Sequence, residues 1–314
     1  MERFFEALFI GLSAGAIYSL VALGIVVVFR GSGHLNFAQG EMATLSAYIA
    51  SIAAAWTLPL IHWDVPMWVA VIVAMGFGFV IGSATELLVV RPLGRRSPLA
   101  VFVALIAVFL GINAFDAGKW GTPPSEEVSS LFPNAPTDFV HPLRWIGIDT
   151  IWRWRDIGTL TVTLVITALL FLLFAKTKVG LAMRAVASNT ESGKLVGIPT
   201  SWILAGSWGL AGALAALAGT MYAGAQGNPG QVTPILMFTV FVYASAAATL
   251  GGLDSPIGAV VAGLSIGIIE NQAAEWAPGW IGQEMKLSIA LLCIFVVLLV
   301  RPSGLFGTAK VERV

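Results

Sequence analysis

A single cysteine in 314 residues excludes an intrachain disulfide and a thiolate metal cluster. That residue, Cys293, sits inside an apolar run. Histidine is nearly as scarce: His34, His62 and His141 are far apart and share no ligand spacing, which fits loop or interfacial positions better than a metal centre. Charged residues make up only 11% of the chain, and 17 cations balance 17 anions, so no polybasic face for nucleic acid is expected. A phosphate-binding loop G-x-x-x-x-G-K-[ST] is missing; Gly193-Lys194 is followed by Leu195 and has Ser188 where the first glycine would stand. No H-E-x-x-H string occurs, and no set of nucleophile, base and oxyanion donors marks a membrane-embedded enzyme. Any nucleotide-driven work therefore requires a second chain.

What is abundant is apolar sequence. At 57% hydrophobic residues and a mean hydropathy of +0.87, the chain lies far outside the range of soluble domains and reads as an all-α integral membrane protein. A membrane-crossing helix needs roughly 20 apolar residues. Nine runs qualify as candidates: 5–29, 40–58, 67–90, 98–116, 157–175, 201–223, 234–250, 256–273 and 285–300. The first follows Met1, Glu2, Arg3 and Glu6, not the cationic start of a cleaved signal, and is expected to remain as a true span.

Between the fifth and sixth runs lies the polar island KTKVGLAMRAVASNTESGKLVGIP, residues 176–199. Leu181, Arg184, Ala185, Ser188 and Asn189 fall at three- and four-residue spacing, which predicts a short surface helix. Ser192-Gly193 and Gly197-Ile198-Pro199 read as its end and a turn. If the island is cytoplasmic, alternation places Arg30, Arg91, Arg95, Arg96, Lys176, Lys178, Arg184, Lys194, Arg301, Lys310 and Arg313 on that side. Arg3, Lys119, Arg144, Arg153, Arg155 and Lys286 then lie on the other. The positive-inside rule favours this arrangement, with the N-terminus out and the C-terminus in. Trp56, Trp63, Trp68, Trp120, Trp145, Trp152, Trp154, Trp276 and Trp280 gather at the expected outer interface, in agreement.

The long hydrophilic segment 117–156, with Pro123, Pro124, Pro133, Pro136 and Pro142 and the string WRWRD, is expected to be an outer docking element or a passive cover. Gly11/Gly15, Gly78/Gly82, Gly263/Gly267 and the run GLAGALAALAG at 209–219 predict close helix packing. A faint repeat relates VVRPLG at 89–94 to LVRPSG at 299–304, each preceded by a glycine-containing polar break, NFAQGE and GGLDSP. It would relate spans 1–3 to spans 7–9, with broken helices of the transporter kind.

The polar residues set in apolar surroundings are the candidates for chemistry. In GSGHLNFAQGE, residues 31–41, a helix starting near Ala38 would present free N–H groups beside Asn36, Gln39 and Glu41, either to an anionic solute group or simply as a capped helix start. Among Glu86, Asn113, Asp116, Asp254, Glu270, Asn271 and Gln272, only Glu86 and Asn113 fall well inside predicted spans. Arg91 or Arg95 can pair with Glu86. Asn36, Gln39, Glu41 and Asn113 are therefore the candidate pathway residues.

Three stretches, GAIYSLVALGIVVVFRGSGHLNFAQGEMATLSAY (15–48), TKVGLAMRAVASNTESGKLVGI (177–198) and LGGLDSPIGAVVAGLSIGIIE (250–270), resemble the permease subunits of branched-chain amino acid ABC importers, a family related to urea and amide importer permeases. The resemblance runs over nearly the whole chain. It implies one transmembrane permease domain over 1–314, a type II-like bundle of about 8–10 helices, in the bacterial inner membrane. It further implies a second homologous permease, two ATPase subunits that hold ATP and Mg, and an external solute-binding protein, with no cofactor on this chain. Residues 181–197 resemble the family's coupling helix, matched at Arg184, Ala187, Asn189, Leu195 and Gly197, with Gly193 where alanine is usual. The chain departs from the family at Leu105 and Ala107 (usually Thr-x-Gly), at Tyr243-Ala244-Ser245 (usually Lys-Ala-Phe) and at Glu86-Leu87 (usually Glu-Arg), which leaves urea or amides as alternative cargo. An autonomous channel or ion-coupled carrier is the competing class, and it leaves the cationic island unexplained.

Overall fold

A computed structural model describes residues 1–55, 57–58, 63–94, 97–121, 126–135, 137–227, 229–276, 286–301 and 304–307. Trp56, His62, Arg95, Arg96, Pro123, Pro124, Pro136, Trp280, Pro302, Ser303, Lys310 and Arg313 lie outside the described residues. Each of the nine apolar runs contains a helix. In chain order the helices are α1 (Glu2–Ser32), α2 (Gln39–Ala54), α3 (Met67–Thr85), a π-helical turn (Glu86–Val90) leading into α4 (Arg91–Gly94), α5 (Pro98–Trp120) and α6 (Trp154–Lys176). There follow α7 (Lys178–Ser188), α8 (Thr190–Leu195), α9 (Thr200–Ala225), α10 (Phe238–Gly251), α11 (Pro256–Trp276) and α12 (Lys286–Val300).

Among the described residues six stretches are long and apolar enough to cross a membrane, namely α1, the run Met67–Gly94, α5, α6, α9 and α11, and α10 is a shorter apolar helix. This is a multi-pass membrane protein. The apolar windows of α5 and α6 are only 11% and 17% buried, whereas those of α1 and α9 are 83% and 78% buried. In lipid an exposed apolar face needs no further cover. Short antiparallel strand pairs decorate the connections: β1 (Thr57–Leu58) with β2 (Trp63–Asp64), β3 (Glu126–Val128) with the later β6 (Gly230–Val232), and β4 (Phe139–Val140) with β5 (Trp152–Arg153). The hydrophilic segment is thus partly ordered by pairing.

Contacts gather the chain into two compact units. One comprises Met1–Val26, Phe132–Leu164 and Phe241–Val314. In it Gly11 and Gly15 of α1 lie against the backbone of Gly263, Leu264 and Gly267 of α11, so close that a Cβ at Gly15 would stand 2.7 Å from Leu264 Cα. Both strings, GLSAG and GLSIG, also spell G-x-S-x-G, yet each is uninterrupted helix and not the strand–turn–helix elbow that exposes a nucleophile. The Tyr18 hydroxyl donates to Glu270 Oε2 at 2.7 Å and its ring stacks on Tyr243. The tyrosine at this departure from the family pattern is thus a packing residue.

The other unit comprises Val27–Leu131 and Val165–Val240. Its centre is α2, α3 and α9. Gly78 and Gly82 of α3 meet the main chain of Gly212 and Trp208 on α9, where any side chain would overlap a carbonyl. Helix α2 is buried on nearly every side, as a helix lacking one dominant apolar face must be. Gly219 of α9 lies against the Ala43 carbonyl, and Ser83 Oγ donates to Ala205 O at 3.0 Å. Leu105, another departure, joins Val28, Val90, Val101, Trp208 and Ala211 in a dry cluster.

Candidate functional site

Two arrangements within this second unit carry polar chemistry. The first is a seam along α2. Glu41, Thr44, Tyr48 and Ser51 recur at three- and four-residue spacing, which puts them in one stripe. All four are buried, at 1%, 0%, 0% and 4% exposure. Asn113 Nδ2 of α5 donates to Glu41 Oε2 at 3.3 Å and to the Pro234 carbonyl at 3.0 Å. Thr44 Oγ1 accepts from the Met237 N–H at 3.4 Å. The Tyr48 hydroxyl donates to Val232 O at 3.3 Å while its ring stacks on Trp120 at 4.1 Å. Ser51 Oγ lies 2.9 Å from Glu126 Oε2 and 2.8 Å from the Glu127 carbonyl.

The entry to α2 has a local cause. Asn36 Oδ1 accepts from the Ala38 N–H at 3.1 Å and its carbonyl accepts from the Gln39 N–H at 3.2 Å, closing the turn before the helix. Asn36 and Gln39 are both buried. Of the four candidate pathway residues, the fold joins Glu41 and Asn113 directly. Asn36 shapes the turn, and Gln39 opens the helix.

Sequence reasoning missed Asp116. Its place at the end of the predicted span implied access to water, but α5 continues to Trp120 and Asp116 is 0% exposed. The signal was present in Asn113, Asp116 and Trp120, which share a helical face by their spacing.

The second arrangement is the elbow 176–199. Thr177 Oγ1 accepts from the Gly180 N–H at 3.1 Å and caps α7; Asn189 Oδ1 accepts from the Ser192 N–H at 2.9 Å and caps α8. A Cβ at Gly180 would collide with the backbone of Leu173 and Phe174, so only glycine lets α7 fold back on the end of α6. Helix α8 closes with paired bonds, Ile198 N–H to Gly193 O and Gly197 N–H to Lys194 O, both at 3.0 Å. Gly197 takes φ +81°, the left-handed residue such a cap requires. At buried Gly193 an added Cβ would make ordinary van der Waals contact, with Thr200 Cγ2 at 3.4 Å, so the family's alanine is accommodated.

The elbow's outer face is open. Arg184, Ala187 and Asn189 are exposed, as are Lys176, Lys178 and Lys194. Among them stand bare apolar side chains: Val179, Leu181, Leu195 and Val196, the last two at 88% and 75% exposure. Behind the elbow, Arg91 holds the buried Glu86 through two bonds, Nη2 to Oε2 at 2.6 Å and Nε to Oε1 at 3.2 Å. The same Nη2 donates to Ser201 O at 2.8 Å, at the start of α9. A cavity of about 310 Å³ lies here, lined by His34, Glu86, Arg91, Lys194, Thr200 and Ser201 among others. The ion pair thus ties the end of α3 to the helix that leaves the elbow.

Against this geometry, the family model for the branched-chain amino acid transport system / permease component matches residues 7–299. The chain belongs to that family. Similar curated proteins include the high-affinity branched-chain amino acid transport system permease protein BraD of Pseudomonas aeruginosa, 28% identical over 99% of this chain and 98% of that one. LivH of Escherichia coli K12, of the same description, is 26% identical over 99% and 98%. The probable branched-chain amino acid transport permease protein LivH of Methanocaldococcus jannaschii is 29% identical over 94% and 91%. Family membership makes the chain a transport component, consistent with its multi-pass architecture.

Proposed function

We propose that this chain is the membrane permease subunit of an ATP-driven importer for branched-chain or other small amino acids. It works with a second homologous permease, two ATPase subunits that carry ATP and Mg, and an external solute-binding protein. Its N-terminus lies outside the inner membrane, and the elbow and C-terminus lie in the cytoplasm. The observation that carries this reading is the elbow α7–α8, whose exposed cations and bare Leu195 and Val196 face solvent on a segment with ordered caps at both helix starts. Exposed apolar groups ringed by polar ones mark a surface built for a partner. A short rigid helix pair seated in an ATPase cleft converts nucleotide-driven closure into rigid-body motion of the spans. Arg184 is the cation placed to meet that cleft; Ala187, Asn189, Gly193, Leu195 and Gly197 give it shape.

Reconstituted vesicles test this directly. Uptake of leucine, isoleucine or valine is expected only when the ATPase subunits, nucleotide and binding protein are all present. Uptake by this chain alone would point to an autonomous carrier. Arg184→Glu is expected to insert normally and to uncouple ATP hydrolysis from uptake.

A further inference from the structure

Four acidic side chains in the described residues are deeply buried, Glu41, Glu86, Asp116 and Asp156, and they differ in what holds them. Glu86 has Arg91, and Asp156 has the Arg155 guanidinium at 3.3 Å. Asp116 has neither cation nor donor: both its carboxylate oxygens are buried and meet no hydrogen-bond partner among the described residues. The charged group it feels is another acid: Asp116 lies within electrostatic reach of Glu41 and of Tyr48 on α2. Tyr48 in turn feels Glu126 of β3. Neither Gly230–Val232 of β6 nor Pro234 brings a titratable group to the seam. Lys119, three residues along α5 from Asp116, is exposed.

Two carboxylates within reach of each other in a membrane interior do not both stay ionised without a positive partner. We propose that Asp116 and Glu41 form a one-cation site that receives the ammonium group of the solute in transit and holds a proton when the solute is absent. The neighbours suit that role. Asn113 donates its amide to Glu41 and to Pro234 O, which fixes one carboxylate and leaves Asp116 as the free acceptor. When an ammonium enters, that proton passes to water, and the site carries one negative charge before and after. The Tyr48–Trp120 stack flanks the site with aromatic surface, adding a face suited to a cation. With Glu41 at 1% and Asp116 at 0% exposure, the site is shut in this conformation, and loading requires the seam to part.

This inference rests on the amino acid importer reading, and the test separates the two. In the complete importer reconstituted in lipid, infrared spectra at neutral pH are expected to show a protonated carboxyl band that Asp116→Asn or Glu41→Gln removes. Asp116→Asn is expected to cut amino acid uptake roughly 10- to 100-fold, the loss of a hydrogen bond to a charged group. Membrane insertion, assembly and ATP hydrolysis stimulated by the binding protein should persist, and Asp116→Glu should recover uptake in part. Absence of the band in the wild type, or wild-type uptake by Asp116→Asn, would overturn the ammonium site alone. A wild-type assembly that carries no amino acid would overturn both readings.

Discussion

Two buried carboxylates in the same unit live under opposite conditions. Glu86 is held by a two-bond arginine, and that arginine also grips the first turn of α9. Asp116 is equally buried and, among the described residues, is held by nothing positive. The first arrangement is architectural: the pair is committed to fixing one helix end against another. An uncommitted acid has no structural partner to lose, and in a transporter that vacancy in the charge balance is a place for a ligand's charge. The difference shows that burial alone does not separate scaffold from site; the partner does.

The largest expected effect comes from breaking the committed pair. Arg91→Ala leaves Glu86 buried without its partner and is expected to lower stability by about 3 kcal/mol, the low end for a broken buried pair because the arginine reaches solvent. Thermal unfolding in detergent measures this. Replacing both partners, Glu86→Gln with Arg91→Leu, should recover much of the loss, which a double-mutant cycle would show. Next is Gly180→Ala, which pushes α7 off the end of α6 and should cost about 1–3 kcal/mol, with a matching drop in uptake per ATP hydrolysed. Asn189→Ala removes the cap of α8 and should cost about 1 kcal/mol, read as loss of elbow protection in hydrogen exchange. Smallest in stability is Asp116→Asn, which breaks no hydrogen bond or ion pair among the described residues and is expected to lower stability less than any of the three above. Its large effect on uptake with almost none on unfolding is the reverse of Arg91→Ala, and equal destabilisation by the two would erase the comparison.

Much of this could be read before any coordinates. A helix in each of the nine apolar runs, the glycine contacts, the start of α2 beside Ala38 and the short elbow helix were legible, because apolar run length, small-residue spacing and cap residues act locally; six of the described stretches are long enough to span. The elbow differs in one respect: the single expected helix is two, broken at Asn189, which is extended at φ −160° and caps the second. The Glu86–Arg91 pair was anticipated as one of two options, but its reach was not. Residues five apart diverge on an α-helix. Here the π-helical turn Glu86–Val90 lets the Arg91 N–H bond the Glu86 carbonyl and brings the two side chains together.

Sequence by itself determined that this is a polytopic helical membrane protein of the amino acid permease family with a polar elbow, since hydropathy and local motifs are properties of contiguous residues. Tertiary structure alone decided which polar groups lost their water. Asp116 is dry because α5 runs past it to Trp120, Trp120 stacks on Tyr48, and the Tyr48 hydroxyl reaches Val232 of β6. Such cover comes from segments up to 184 residues apart in the chain. Desolvation depends on what lies across space, and no local pattern encodes that.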